Sequence, residues 1–125
     1  MDVLAVRQEE KLWGRNHIIH LDNSFQICHI HILKGGYCSN HFHQHKWNQF
    51  YIVSGKLMVS CYNSDGTIKS SIMLRPTECI KIPPGLNHKF EAIEETEALE
   101  IYWSELSEHD IVRTDIGGIK PKSNL

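Results

Sequence analysis

Apolar and polar side chains alternate with a period of two in short runs between about residue 17 and residue 103. Residues 49–53 form a strongly amphipathic run, and residues 56–62 and 68–74 flank the turn sequence Asn-Ser-Asp-Gly at 63–66. A period of two is typical of β-strands, because successive side chains of a strand point to opposite faces. The residues at 63–66 favour a tight turn, so the two flanking runs are predicted to form a hairpin. The pattern therefore predicts an all-β fold.

Turn signals divide this region into a series of short predicted strands. They cover residues 17–21, 25–33, 41–45, 49–53, 56–62, 68–74, 78–82, 87–92 and 97–103. Short strands at such close intervals indicate a sandwich or a barrel. At the end of the chain, Ser-Glu-His-Asp at 107–110 predicts one helical turn, and the residues from 117 onward predict a loose tail. We expect one domain over residues 1–125, with a barrel core at about 17–103 and a C-terminal extension at 104–125.

The composition narrows the classes of protein that fit this fold. The 125 residues carry a net charge of −2, which gives no basic excess for nucleic acid, and no run is long enough for a membrane span. The four cysteines are widely spaced, and acidic residues stand near the N-terminus where a signal peptide would be apolar. We therefore expect a cytoplasmic protein with reduced thiols, in which Cys28 and Cys79 are small core residues.

Nine histidines are an unusual number for this length, and they cluster. His41, His43 and His45 stand at every second position, so an extended strand would place all three rings on one face. Residues 83–88, Pro-Pro-Gly-Leu-Asn-His, predict a rigid turn that brings His88 from a distant segment. Neutral imidazole binds first-row divalent metals, and two segments that each supply imidazoles can build a coordination shell. A divalent metal site is therefore predicted.

The metal ligands predicted from this pattern are His41, His43 and His88. No carboxylate stands near the first two in the sequence, and the carbonyl oxygen of Asn48 or of Gln49 could take its place. His45 is a further alternative, although the strand is expected to end near it and to leave its ring at the rim.

A second pair of histidines, His29 and His31, lies on the strand face that also carries Phe25 and Ile27. We expect these two rings to be hydrogen-bonded residues that line a polar cavity, where they could contact a substrate. Metal binding by this pair is the alternative.

The segment from Gly35 to Gly55 resembles the first motif of the cupin superfamily, Gly-x5-His-x-His-x4-Glu-x6-Gly, with Asn48 at the position of the glutamate. Residues 83–88 are similar to the second motif, Pro-x-Gly-x2-His, whereas Thr77 replaces the glycine that begins it. Cupins are small β-barrels of the jelly-roll or double-stranded β-helix type, and they usually carry iron, manganese, zinc or nickel in the barrel mouth. The resemblance implies this fold and a divalent ion of one of these metals, Zn, Fe, Mn or Ni.

Almost the whole chain also resembles the C-terminal cupin domain of type II mannose-6-phosphate isomerases. The similar stretches are residues 11–14, 82–91 and 106–113, the last of which reads Leu-Ser-Glu-His-Asp-Ile-Val-Arg. The central pattern of that family is close to Gln-x-His-x-His-Arg-x-Glu-His-Trp. The residues that stand here at its Gln, Arg, Glu, last His and Trp are His41, Lys46, Asn48, Gln49 and Phe50. The resemblance implies a metal-dependent aldose–ketose isomerase that acts on a sugar phosphate.

Such an isomerase needs a Lewis acid that polarises a carbonyl group and a base that moves a proton between neighbouring carbons. Glu100 or Glu91 is the predicted base, and Lys46 is a further catalytic candidate. Lys46, Lys89 and Arg113 are candidates to bind a phosphate group, and Arg113 could do so with bidentate geometry.

Two other functions remain open from the sequence. The first is a non-catalytic cupin module that binds a small molecule, which the asparagine at position 48 favours. The second is an iron-dependent dioxygenase, since a shell of three neutral imidazoles leaves open coordination sites for oxygen. In each case we expect a small-molecule partner and a homodimer, because small barrels bury exposed sheet edges by pairing and cupins commonly dimerise.

Overall fold

The structure is a computed structural model that describes residues 1–104 and 108–121, and these residues contain eleven β-strands and no helix. In chain order the strands are β1 (Arg7–Lys11), β2 (Gly14–Leu21), β3 (Phe25–Ile32), β4 (Gly36–Tyr37), β5 (His41–Phe42), β6 (Trp47–Tyr62), β7 (Ile68–Leu74), β8 (Cys79–Ile82), β9 (Asn87–Trp103), β10 (Val112–Arg113) and β11 (Gly118–Ile119). Antiparallel pairings join the strands into one sheet. The all-β fold predicted from the alternating pattern is therefore confirmed.

Strand β9 is the centre of the sheet, because it pairs with β3, β4, β5 and β6. It runs antiparallel to β6 over nearly its whole length, from Trp103 opposite Trp47 to Asn87 opposite Tyr62. Strands β1 and β2 continue the sheet beyond β3, whereas β7 and β8 continue it beyond β6. Residues of β1, β2, β3, β5 and β9 line one common cavity, so the sheet is curled into a half-barrel.

Strands β6 and β9 are each longer than the sequence predicted. The predicted strands at 49–53 and 56–62 both belong to β6, and those at 87–92 and 97–103 both belong to β9. Register shifts bend the pair around Gly55, which has a φ of 91°. A Cβ at this position would lie 2.3 Å from the Glu95 carbonyl oxygen, so glycine permits the close approach of the two strands. The glycine therefore marks a bulge and not the end of a strand.

A cluster of buried apolar side chains fills the inside of the sheet. Its members are Cys28, Ile30, Ile32, Cys38, Phe50, Ile52, Leu57, Val59, Leu74, Ile82, Phe90, Ala92 and Ala98. The ring of Phe90 packs edge-on against Trp13 and Phe50, with centroid distances of 5.2 and 5.9 Å. Burial of each large member stabilises the fold by about 1.5–3 kcal/mol. The buried faces of β6 and β9 also carry polar side chains, such as Asn48 and His88, and the apolar core packs beside them.

Two short strands hold the C-terminal segment to the sheet. Strand β10 pairs with β5 and β11 pairs with β4, and the amide of Lys120 donates to the carbonyl oxygen of Gly35 at 2.8 Å. The prediction of a loose tail is therefore wrong for residues 118–120, because their backbone groups are hydrogen-bonded to the sheet. Residues 108–109 lie in a turn. Ser107, where the predicted helical turn begins, and residues 122–125 lie outside the described residues.

The four cysteines are free thiols, as expected. Cys28 is buried in the core, which confirms its prediction. Cys79 is exposed, so its assignment to the core is wrong. It stands on the outward side of β8, where its sulfur accepts a hydrogen bond from the amide of Gln49. Within the described residues, no helix is long and apolar enough to cross a membrane.

Candidate metal centre

Three imidazoles meet where β5 lies beside the start of β9. His41 and His88 are cross-strand partners, and His43 directly follows β5. The ring centroids are 4.4 Å apart for His41 and His88, 5.0 Å for His41 and His43, and 5.6 Å for His43 and His88. One ring nitrogen of each residue lies within 4.8 Å of the other two, and all three residues are buried. The histidines predicted from two distant segments therefore come together closely enough to share a metal ion.

A hydrogen bond from Nδ1 to a main-chain carbonyl oxygen holds each ring. For His41, His43 and His88 the acceptors are Ser39, Asp110 and Leu86, at 2.7, 2.7 and 2.9 Å. A carbonyl oxygen only accepts, so each Nδ1 carries the proton and each Nε2 offers a lone pair. The Nε2 atoms of His43 and His88 are buried and have no hydrogen-bond partner. Because buried acceptors without a partner cost free energy, this arrangement fits a bound cation.

Burial keeps these rings neutral. Desolvation lowers the pKa of His41 from 6.5 to about 3 and that of His88 to about 4, and it also lowers the pKa of His43. The neighbouring imidazoles act in the same direction on His41 and His88, because a positive charge on one ring would repel that on the next. At neutral pH the rings are therefore in the unprotonated form that binds metals. The residues present fit a divalent metal ion.

Asp110 fixes the loop that carries His43. Its carboxylate accepts hydrogen bonds from three successive main-chain N–H groups, those of Gln44, His45 and Lys46, at 2.7, 3.1 and 3.0 Å. Desolvation raises the pKa of this carboxyl group, but the three N–H donors outweigh it and hold the pKa below its ordinary value. Sequence reasoning missed this role, because the partners lie 64 to 67 residues away along the chain.

A cavity of about 720 Å³ opens beside the imidazoles. His41 and His43 line it together with Lys46, Glu100 and Tyr102. Other parts of its wall come from β1, β2 and the C-terminal segment. Small-molecule sites typically have volumes of roughly 300–1,000 Å³, so the cavity has room for a ligand beyond a metal ion.

Glu100 stands in the cavity wall with a raised pKa. Desolvation raises it, and hydrogen bonds from Tyr102 and Asn48 together with the charge of Lys46 offset only part of this effect. The Asn48 amide nitrogen donates to Oε2 of Glu100 at 3.3 Å. A carboxyl group whose pKa moves toward neutrality is suited to acid–base work. The structure thus brings one of the two predicted bases to the cavity.

Tyr102 is a candidate functional residue that sequence reasoning missed. It follows Glu100 by two positions on β9 and therefore shares its inward face. Its ring lies edge-on to that of His43 at a centroid distance of 5.5 Å, and the ammonium group of Lys46 lies 4.4 Å from its centroid. The same period of two that places Glu100 inward could have identified it.

Lys46 and Arg113 also line the cavity. Lys46 is 8% exposed, and desolvation lowers its pKa although the carboxylates of Glu100 and Asp110 act in the opposite direction. Arg113 stands on β10 as the cross-strand partner of His41. Each of these two cationic side chains could contact an anionic ligand, and their binding of a phosphate group stays a prediction.

Glu91 and Lys89 do not line this cavity. They line a smaller one of about 210 Å³, on the face of β9 opposite to His88. Glu91 forms an ion pair with Lys120, and the ammonium group of Lys89 lies 4.6 Å from the ring centroid of Tyr37. The structure therefore does not bring these two predicted site residues to the metal centre.

His29 and His31 lie on the outward face of β3, in contrast to the expectation that they line a cavity. Gln26 and Cys28, on the other face of the strand, line the cavity instead. The Nε2 atom of His31 is hydrogen-bonded to the carboxylate of Glu95. The expectation was wrong because alternation defines the two faces of a strand and does not say which one encloses the cavity.

The structure separates the three further candidates for the metal shell. Asn48 is fully buried and its Oδ1 has no hydrogen-bond partner, so its role as a ligand stays a prediction. Gln49 donates to the sulfur of Cys79 at 2.9 Å, on the outward side of β6. His45 is exposed, in agreement with a rim position, and the cluster of ring nitrogens does not include it.

Solved structures with a similar fold include two enzymes. An oxalate decarboxylase from Bacillus subtilis superposes with a TM-score of 0.73 at 15% identity, covering 87% of this chain and 30% of that chain. A nucleoside dehydratase from Streptomyces, of which a variant has also been solved with uridine, superposes with a TM-score of 0.74 at 13% identity. This match covers 89% of this chain and 86% of that chain. At such identities the likeness shows the fold alone, a small cupin-type barrel, which agrees with the fold class predicted from the sequence.

Comparison with curated proteins found no match. A family model described as the polysaccharide biosynthesis C-terminal domain matches residues 16–115. The matched stretch runs from β2 to beyond β10, so it contains the three imidazoles as well as Glu100 and Asp110. Because the match takes in the barrel, the candidate metal centre and the segment that positions it, the chain belongs to the polysaccharide biosynthesis C-terminal domain family.

Proposed function

We propose that this protein is a metal-dependent enzyme that acts on a sugar phosphate and moves a proton between neighbouring carbons, as an aldose–ketose isomerase does. The observation that carries the proposal is the meeting of three neutral imidazoles beside a cavity that also presents the carboxyl group of Glu100. The family description supports a carbohydrate substrate. The resemblance to mannose-6-phosphate isomerases supports the finer assignment of an isomerase.

His41, His43 and His88 would hold the metal ion through their Nε2 atoms. When bound, a divalent metal supplies a Lewis acid that polarises a carbonyl or hydroxyl oxygen of the substrate. The main-chain acceptors at Nδ1 fix the ring orientations before any ligand arrives, so little reorganisation is required.

Glu100 is the group that would move the proton. Its carboxylate takes the proton from the carbon next to the carbonyl group. The electrons of the broken C–H bond form the carbon–carbon double bond of an enediolate, and the π electrons of the carbonyl group move onto its oxygen. The carboxyl group then returns the proton to the neighbouring carbon, while the hydroxyl proton moves between the two oxygens. A raised pKa makes the carboxylate a stronger base at neutral pH, and the amide of Asn48 helps to orient it.

Arg113 and Lys46 would bind the phosphate group of the substrate. Both line the cavity that His41 and His43 line, and a guanidinium group can donate to two phosphate oxygens at once. The desolvated ammonium group of Lys46 would gain most from an anionic ligand, because a nearby negative charge stabilises its protonated form.

Proton exchange in deuterated water tests this function. The metal-loaded protein would be incubated with mannose 6-phosphate and with a panel of hexose and pentose phosphates, and proton NMR would follow the signal at C2. We expect loss of that signal for at least one sugar phosphate. Full retention of the proton across the panel by metal-loaded protein would overturn the isomerase assignment.

A non-catalytic binding module is the second candidate, and the asparagine at position 48 favours it. The amide of Asn48 donates to the carboxylate of Glu100, which would make it less available as a base. This candidate predicts that a sugar phosphate binds the metal-loaded protein and that its C–H bonds stay intact. Calorimetry and the exchange experiment, performed on the same sample, distinguish the two functions.

We also propose a homodimer. Strands β1 and β7 are edges of the sheet among the described strands, since each pairs with a single neighbour. Unpaired strand edges favour association with a second chain. Light scattering after size-exclusion chromatography should give the mass of two chains, and the mass of one chain would contradict the proposal. A cytoplasmic location likewise stays a prediction, in keeping with four free thiols.

A further inference from the structure

The wall that β1 and β2 contribute to the cavity contains a buried polar atom without a partner. Asn16 of β2 lines the cavity and is 8% exposed. Its Nδ2 donates to Oε1 of Glu9 at 3.2 Å, which fixes the orientation of the amide group. Its Oδ1 has no hydrogen-bond partner. A buried carbonyl oxygen in this state costs free energy, and a ligand that donates a hydrogen bond removes the cost.

Glu9 adds a second acceptor beside this oxygen. It is the cross-strand partner of Asn16 and also lines the cavity. One oxygen of its carboxylate accepts from Asn16, and the other accepts from Nη2 of Arg7 at 3.3 Å. Because Arg7 balances the charge of Glu9, the oxygens of Asn16 and Glu9 can accept hydrogen bonds from a neutral ligand and do not require a cation.

The adjoining wall residues on β3 are polar and neutral. Gln26 and Cys28 line the cavity, and Nε2 of Gln26 donates to the sulfur of Cys28 at 3.2 Å. Burial raises the pKa of the Cys28 thiol to about 11, so it stays protonated at neutral pH. This part of the cavity therefore suits neutral hydrogen-bonding groups of a ligand.

We propose that Asn16 and Glu9 form a hydroxyl-binding subsite, which takes hydroxyl groups of the sugar while the reacting carbons lie at the metal centre. The inference rests on the proposed function for its substrate class. Hydroxyl groups are neutral and donate hydrogen bonds to both acceptors, whereas the oxygens of a phosphate group at neutral pH are mainly acceptors themselves. Strand β2 is two strands away from β9, which carries Glu100. Two strand spacings correspond to about 10 Å, which is the length scale of a hexose phosphate.

The test compares sugar-phosphate binding in the metal-loaded wild type and in two variants. Asn16→Leu keeps the size of the side chain and removes the acceptor, and Glu9→Gln keeps its shape but replaces one of its two acceptor oxygens with a donor. Calorimetry would use mannose 6-phosphate, fructose 6-phosphate and ribose 5-phosphate as probes. Inorganic phosphate is the comparison probe, because it has no sugar hydroxyl groups. Gln8→Leu, on the outward side of β1, is the matched control for changes to this pair of strands.

We expect Asn16→Leu and Glu9→Gln each to weaken binding of the sugar phosphate about tenfold, the effect of one hydrogen bond, with unchanged metal content. Inorganic phosphate should bind all four proteins equally. Equal sugar-phosphate affinity in wild type and in both folded variants would overturn the subsite and leave the proposed function intact. A metal-loaded wild type that binds none of the sugar phosphates would overturn the proposed substrate class, and the subsite with it.

Discussion

The main-chain carbonyl oxygen of Asp110 accepts a hydrogen bond from Nδ1 of His43 at 2.7 Å, across 67 residues of sequence. The carboxylate of the same residue accepts hydrogen bonds from the main-chain amides of the three residues that follow His43 in the loop. The C-terminal segment is therefore part of the metal centre, although it contributes none of the three imidazoles. A change at Asp110 should act on metal binding through the orientation of His43.

Replacement of Asp110 by alanine should weaken metal binding and destabilise the protein. The variant loses the acceptor of three main-chain N–H groups, and a loss of this kind typically costs about 1–3 kcal/mol. Residues that orient metal ligands typically change the affinity by about 10–100-fold when they are replaced. A metal titration and urea denaturation would measure both effects.

Asp65→Ala is the matched control for this variant. The carboxylate of Asp65 also accepts a main-chain hydrogen bond, from Thr67 at 2.9 Å, but in the turn between β6 and β7. This control should lose some stability and bind metal as the wild type does. Equal metal affinity in Asp110→Ala and in the control would contradict the positioning role.

The metal-free protein should lose stability as the pH falls below about 6.5. In the unfolded chain histidine binds a proton near its ordinary pKa of 6.5, whereas burial lowers the pKa to about 3 for His41 and about 4 for His88 in the folded protein. Between these values the unfolded chain binds more protons, so the stabilisation is complete above pH 6.5 and is lost as the pH falls toward 4. Each such histidine lowers the free energy of unfolding by at most about 1.4 kcal/mol per unit of pH decrease.

Urea denaturation of metal-free protein between pH 7.5 and pH 5 would measure this dependence. His88→Gln removes one of the three buried imidazoles with a lowered pKa and should give a shallower loss of stability over the same range. His20→Gln, at an exposed position, is the control and should keep the slope of the wild type. A slope in His88→Gln that equals the wild-type slope would argue against a neutral buried ring at this position.

Replacement of Glu100 by glutamine should abolish proton exchange and leave the metal content unchanged. The amide keeps the size of the side chain but cannot accept the proton, and loss of a general base typically costs about 10²–10⁴-fold in rate. The measurement is the exchange rate at C2 of the best substrate, with metal analysis of the same sample. Glu91→Gln distinguishes the two carboxylates named from the sequence, and a comparable loss there would move the base to the smaller cavity.

Replacement of Thr77 by glycine should stabilise the protein by about 1 kcal/mol. Thr77 is exposed and has a φ of 72°, a left-handed conformation that a β-branched residue adopts at a cost. Glycine, which stands at this position in the cupin motif, removes that cost. Thr77→Ala keeps the Cβ and serves as the control, so it should not share the gain. A thermal unfolding midpoint for the glycine variant at or below that of the alanine variant would contradict the claim that the backbone at Thr77 is strained.

Local patterns predicted the strands and the imidazoles because both depend on short-range rules. The period of two predicted β3, the apolar run around Cys28 predicted its burial, and the spacing of His41 and His43 placed both rings together. The approach of His88 from a distant turn followed from a motif and not from the pattern alone. These parts of the fold required no knowledge of how the strands pair.

The parts that the sequence did not predict depend on long-range packing. The continuity of β6 through Gly55 follows from its close contact with β9 at Glu95, which no local signal reports. The outward position of His29 depends on which face of the curled sheet encloses the cavity. The role of Asp110 depends on the pairing of β10 with β5, two strands of two residues each that are too short to show alternation.

Metal content is the most direct test of the account. Protein purified without added metal would be analysed by mass spectrometry of the elements, for the wild type, for His41→Ala combined with His43→Ala, and for His29→Ala combined with His31→Ala as the matched control. We expect about one divalent ion per chain in the wild type and in the control, and none in the first double variant. Equal metal content in the wild type and in the variant without His41 and His43 would contradict the metal centre and every function that depends on it.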